Sequence, residues 1–330
     1  MRKRIILLLC SMLTVSVGFS VQTPATAVSA DPLSDNLSKL QSNEPSQRRQ
    51  GAEALGSLRD PSAIDPLIRA LGDKNSSVRS AAADSLGIMR ASAATTNIIA
   101  LLTGDPQANV RQSAAVALNY IGNHAAVPPL IAALKDKNDG VRFAAANALG
   151  SLRDQSSIEP LSEAMKDTNV GMRRSCLNAL GRFENSLTLP AVRDAMKDTD
   201  VSLKAEAIRI AGKLKDTDSE STFQNSLTDA DKRVRVAAAG ALAKIGSQAG
   251  LDTGLELLGD SDPMIRLQAA DLLGDIPTQS VVSALDNAAK FDKDPGVQQT
   301  AQASLARVKS HLAKQAKADQ SSTSKTGKTQ

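Results

Sequence analysis

One phrase returns nine times along this chain of 330 residues: an aliphatic residue, usually an arginine, then small residues closing on Ala-Leu-Gly. The clearest copies run from Val78-Arg79 to Leu86-Gly87, from Val141-Arg142 to Leu149-Gly150, and from Val234-Arg235 to Leu242. Degenerate copies begin at Gln47, Val110, Met172, Leu203, Ile265 and Val297, so every step is 31 or 32 residues. So regular a period belongs to stacked repeats, in which each unit buries its apolar face against its neighbours. It overrides the two-domain expectation from length, because a solenoid grows by adding units.

Each unit reads as a helical pair. In the fifth, Ile158, Leu161 and Met165 put one apolar face on a helix over Gln155–Lys166. Asp167-Thr168-Asn169 is the turn, and a second helix over Val170–Leu180 turns Met172, Cys176, Ala179 and Leu180 inward. The turn chemistry recurs. Asp73, Asp105, Asp136, Asp167, Asp198, Asp229, Asp260 and Asp292 lie five residues before their starts. Two residues after each stands Asn75, Gln107, Asn138, Asn169, Asp200, Asp231, Asp262 or Asp294, at the N-cap position of the second helix. Pro263 and Pro295 occupy the next position, where a missing N–H costs nothing. Gly56, Gly87, Gly150, Gly181, Gly212 and Gly274 fall inside or at the end of the second helices, where a glycine weakens a helix unless close packing requires it.

The repeating unit Asp-x-Asn/Asp-x-x-Val-Arg-x-x-Ala-Ala-x-Ala-Leu-Gly, followed by a proline-interrupted first helix such as Ile64-Asp65-Pro66-Leu67-Ile68, resembles HEAT-like repeats. More narrowly it resembles the short subtype of the phycobilisome lyases. The resemblance covers roughly residues 32 to 312. It implies an all-α fold, a right-handed α-solenoid of about nine hairpins. It leaves function open, because one repeat fold hosts many activities.

The ends set the domain plan. Arg2, Lys3 and Arg4 precede an apolar run from Ile5 to Phe19, and small-residue cleavage patterns end at Ala27 and Ala30. This is the order of a secretory signal, so residues 1–30 are expected to be a leader and the protein secreted or periplasmic. The solenoid is expected over 31–312. Residues 313–330 are mostly Lys, Ser, Thr, Gln and Ala with no large apolar side chain, a composition expected to give a frayed helix end and a disordered basic tail.

Charge and composition narrow the chemistry. The leader removes three of 39 basic residues and none of 35 acidic ones, leaving about +1. Five lysines against one aspartate from Lys309 onward make the solenoid itself slightly acidic. Nucleic-acid backbones need clustered cations, so they are not expected partners. Aromatics are 2% and Trp is absent, which leaves no stacking platform for a cofactor. Two histidines, His124 and His311, supply neither a catalytic triad nor the paired His-Glu motifs of the iron-binding hydroxylases that share this repeat. Cys176 occupies a column held elsewhere by Ala82, Ala114, Ala145, Ala207, Ala238, Ala269 and Ala301, and reads as a packing residue. No metal, cofactor or catalytic residue is expected.

The recurring cations Arg79, Arg111, Arg142, Arg173, Arg235 and Arg266 read as a structural ladder with the turn aspartates, among them Asp105, Asp136, Asp167 and Asp198. An anion-binding row is the competing reading. Helical geometry sends positions two, six and ten after each start away from the stacking interface, toward a concave face. Tyr120, Phe143, Asn147, Arg174, Asn178 and Arg209 fall there and are the candidate partner-binding residues, since aromatics and arginine anchor interfaces. The expected function is a monomeric, non-enzymatic scaffold or adaptor that holds a protein partner. A bilin lyase-like enzyme or subunit, suggested by the resemblance, and a structural envelope protein are the alternatives.

Overall fold

The computed structural model describes residues 31–326, and every regular element within them is helical. The first helices of the nine units are α1 (Pro32–Leu40), α3 (Ile64–Ala70), α5 (Thr95–Gly104), α7 (Val127–Ala133), α9 (Ile158–Ala164), α11 (Leu189–Ala195), α13 (Glu220–Ser226), α15 (Leu251–Leu257) and α17 (Gln279–Phe291). The second helices are α2 (Pro45–Leu58), α4 (Ser76–Ile88), α6 (Ala108–Ile121), α8 (Asp139–Leu152), α10 (Val170–Gly181), α12 (Val201–Lys213), α14 (Lys232–Lys244), α16 (Pro263–Leu273) and α18 (Pro295–Thr326). Residues 1–30, where the leader is expected, lie outside the described residues.

Local chemistry starts each second helix. The Asn75, Asn138, Asn169, Asp200, Asp231, Asp262 and Asp294 side chains accept from N–H groups of the first turn. Gln107, one methylene longer, makes no such bond. Seven second helices, α2 to α14, are followed within three residues by one at positive φ: Gly122 and Gly246, but also Arg59, Arg90, Arg153, Glu184 and Lys215. The five side chains at these left-handed positions show no sequence signature, because glycine is the residue that marks such a stop.

Burial follows the repeat. Ala82, Ala114, Ala145, Cys176, Ala207, Ala238, Ala269 and Ala301 are all fully buried, as are Leu55, Leu86, Leu118, Leu149 and Leu180. A β-carbon added to Gly87, Gly150 or Gly212 would lie 2.8, 2.6 or 2.5 Å from the Cα of Ala117, Ala179 or Ala241 on the next second helix. Those glycines let neighbouring backbones nearly touch. Where the facing alanine becomes Ile210 or Leu272, the helices stand apart: α10 and α12 pack most sparsely of all neighbouring second helices, with α14 and α16 next. The first helices touch one another far less. Tighter spacing on one side curves the stack, so the second helices line its concave face.

At the C-terminus α18 continues past Leu312 to Thr326, into the segment expected from composition to be a frayed helix end and a tail. Alanine, lysine and glutamine are strong helix formers, and the bonds of a helix are internal to it.

Candidate interaction surface

The convex-to-concave edge carries the ladder. Arg48, Arg79, Arg111, Arg173 and Arg266 each place Nε 2.6–2.8 Å from the turn aspartate of the following unit: Asp73, Asp105, Asp136, Asp198 and Asp292. A second nitrogen closes each pair bidentately. Nη1 of Arg79, Arg111, Arg173 and Arg266 also donates to the carbonyl of its own turn aspartate, at Asp73, Asp105, Asp167 and Asp260. Each of these arginines therefore staples its own turn to the next. The aspartates meanwhile accept a backbone N–H two residues on, for example from Asn75, Gln107 and Asn138. Every guanidinium of these five pairs is consumed, which leaves no open row of cations for an anion.

Two ladder residues named from the sequence depart from this pattern. Arg142 turns to Asp139 at 2.8 Å, leaving Asp167 3.6 Å from its Nε, which is buried without a partner. Arg235 does not reach Asp260 at all; Lys232 holds that carboxylate at 2.7 Å, and Arg235 lies 4.0 Å from Glu256. Both departures have one cause: the first residue of the second helix is charged, Asp139 in α8 and Lys232 in α14, and competes for the ladder partner. Lys204 replaces arginine and meets Asp229 at 3.1 Å. One further pair had no repeat signal: Arg193 of α11 clasps the buried Asp216 across units.

The concave face carries the candidate binding residues. Tyr120 of α6, Asn147 of α8, Arg174 and Asn178 of α10, and Arg209 of α12 are exposed, on successive units. Phe143 is corrected: it is only half-exposed, and its ring lies over Gly171, whose added β-carbon would sit 3.2 Å from Phe143 Cζ. A ring that covers the next helix's N-terminus is a packing residue first. Val236, also on the outward register, is buried. Arg174 reaches Asp200 at 3.4 Å, and Arg209 pairs with Glu206 on its own helix. Further polar links join adjacent units across the face, including Asn109 to Ser80 at 3.0 Å, Arg182 to Ser151 at 2.9 Å and Lys213 to Glu184 at 2.7 Å. Nearer the N-terminus, Asp84 has its carboxyl raised, first by loss of surrounding water and then by the Glu53 charge, while the Ser113 hydroxyl pulls it down.

No group of three or more His, Cys, Asp or Glu side chains that could hold a metal occurs among the described residues. Burial pushes the Cys176 thiol up to about 12, so it is no nucleophile near neutral pH. His124 is exposed, 3.1 Å from Asp154.

The pattern for HEAT repeats matches residues 33–119, 95–181, 127–203, 189–253 and 251–319. The chain belongs to the HEAT-repeat family. Its repeats are 39% identical over 87 residues to the phycocyanobilin lyase subunit alpha of Synechococcus elongatus, a stretch that is 26% of this chain and 32% of that one. The match thus spans about a third of the lyase subunit's length. Among solved structures, YibA of Escherichia coli superimposes with a TM-score of 0.56 at 20% identity, over 81% of this chain and 99% of that one. Importin beta superimposes with a TM-score of 0.61 at 13% identity, over 83% and 46%. At such identities these two structures speak for the HEAT solenoid fold alone.

Proposed function

We infer that this HEAT-repeat protein is a non-enzymatic scaffold that holds a protein partner on its concave face, working as an exported monomer after removal of residues 1–30. The observation that carries the reading is the run of exposed side chains on successive second helices: Tyr120, Asn147, Arg174 and Asn178. An aromatic ring, two amides and a guanidinium in one row offer both apolar area and directional hydrogen bonds. A quadruple variant, Tyr120→Ala, Asn147→Ala, Arg174→Ala and Asn178→Ala, should unfold with the wild type yet bind a partner recovered from the native host at least thirtyfold more weakly. Unchanged affinity in a folded variant would remove the concave face from consideration. Export is tested by intact mass of protein from that host, which should begin at Val28 or Asp31.

A second reading rests on the lyase likeness: a subunit that helps deliver a tetrapyrrole. One tyrosine, five phenylalanines and no tryptophan make a poor cleft for that ligand. Bilin absorbance that co-purifies with the protein would favour this reading over the scaffold.

A further inference from the structure

The concave face is not uniform. Over α12, α14, α16 and α18 it opens into a groove of about 820 Å³. Two substitutions in the repeat make it. Leu272 stands where α8, α10 and α14 carry Ala148, Ala179 and Ala241, and it holds α16 away from α14. Gly240 then stands at the outward sixth position, which carries Asn147, Asn178 and Arg209 in the three preceding units.

Gly240 is unlike the other glycines within second helices. At Gly51, Gly56, Gly87, Gly150, Gly181 and Gly212 an added β-carbon would meet its neighbours at 2.8 Å or less. At Gly240 the nearest atom would be Leu272 Cβ at 3.7 Å, an ordinary contact. Packing does not require this glycine, and mid-helix it weakens α14. What it does is keep the floor open, between Val236, Ala237, Leu267 and Leu272.

The walls are charged asymmetrically. The lining carries four cations, Arg209, Lys213, Arg233 and Lys244, against three carboxylates, Glu206, Asp271 and Asp275; Asp271 on α16 and Asp275 just beyond it are matched by Arg307 and Lys244, each at 2.8 Å or less. On α12 and α14, Arg209, Lys213 and Arg233 are paired as well, with Glu206, Glu184 and Asp231, but Glu184 and Asp231 lie outside the groove and Glu206 is only 25% exposed. The three cationic side chains are 65%, 57% and 51% exposed and keep spare N–H donors.

We propose that this groove takes an acidic peptide segment of a partner protein, with a bulky apolar side chain seated over Gly240 and carboxylates on Arg209, Lys213 and Arg233. The proposal rests on the concave-face reading and narrows it to one end of the solenoid.

Fluorescence anisotropy with three dye-labelled decapeptides tests it. The first alternates Asp and Glu around a central Phe, the second replaces Phe by Ala, and the third replaces every acid by Lys. The first should bind at least tenfold tighter than either other. Gly240→Leu, which adds a good helix former where space is open, should keep the thermal midpoint and weaken the first peptide at least tenfold. The double variant Arg209→Glu, Arg233→Glu should do the same and improve the lysine peptide. Failure of the acidic peptide to bind, equal binding of the lysine peptide, or indifference to Gly240→Leu each overturns the groove. None of these outcomes touches the wider reading, whose own test uses Tyr120, Asn147, Arg174 and Asn178 on the preceding units.

Discussion

Lys232 Nζ lies 2.7 Å from Asp260 Oδ1, in the place that an arginine three residues along the helix holds in most other units. A lysine gives one point contact where a guanidinium gives a planar fork. The ladder is therefore graded rather than uniform, and its rungs should differ in strength.

Arg111→Ala removes one of the most enclosed rungs. The Arg111 and Asp136 side chains are 8% and 13% exposed, and the change also frees the Asp105 carbonyl. We expect a loss of about 2–3 kcal/mol, since a charged acceptor is left poorly solvated. Lys204→Ala, at a rung 29% and 22% exposed, should cost about 1 kcal/mol or less. Urea midpoints of the two variants decide it, and equal midpoints would show that burial does not grade the ladder.

Acid should weaken the stack through the same pairs. The guanidiniums of Arg48, Arg111, Arg173 and Arg266 hold the Asp73, Asp136, Asp198 and Asp292 carboxyls below their ordinary value of 3.8. Because the folded values are the lower ones, the unfolded chain takes up protons first as pH falls. The stabilisation is complete above about pH 5 and is lost as pH drops through the folded values. The urea midpoint should fall between about pH 6 and pH 3, and fall less in the double variant Arg111→Ala, Arg173→Ala. An identical fall in both proteins would assign the titration to other carboxylates.

Two glycines should respond in opposite directions to the same change. Gly150→Ala drives a methyl to within 2.6 Å of Ala179 Cα, and overpacking of about 1–3 kcal/mol exceeds the helix gain. Gly240→Ala meets no such contact and should stabilise by about 0.5–1 kcal/mol. Thermal midpoints that shift the same way in both variants would contradict the spacing of α8 and α10.

Cys176 should resist alkylation. Its side chain is fully buried and its thiol is pushed up to about 12, mainly by burial. Iodoacetamide at about pH 8 should leave the Cys176 peptide unmodified in native protein and modify it completely in urea. Rapid native labelling, read by peptide mass, would mean that α10 opens.

The phrase repeated every 31 or 32 residues fixed what is local. Helical pairs, N-caps at Asn75 or Asp262, the buried column through Ala145 and Cys176, and the pairing potential of arginine with aspartate all follow from residue type and spacing within one unit. Those interactions span a few residues, so a single unit contains their cause. Which aspartate each arginine takes is a property of two units together, because the distance between second helices is set by the volumes that face each other. Ala179 lets α8 and α10 meet over Gly150, while Ile210 and Leu272 hold neighbours apart. The same cross-unit geometry lays Phe143 over Gly171 instead of into solvent and opens the floor above Gly240. The tertiary structure decided these because each depends on the separation of helices more than twenty residues apart in sequence, which no spacing within a repeat encodes.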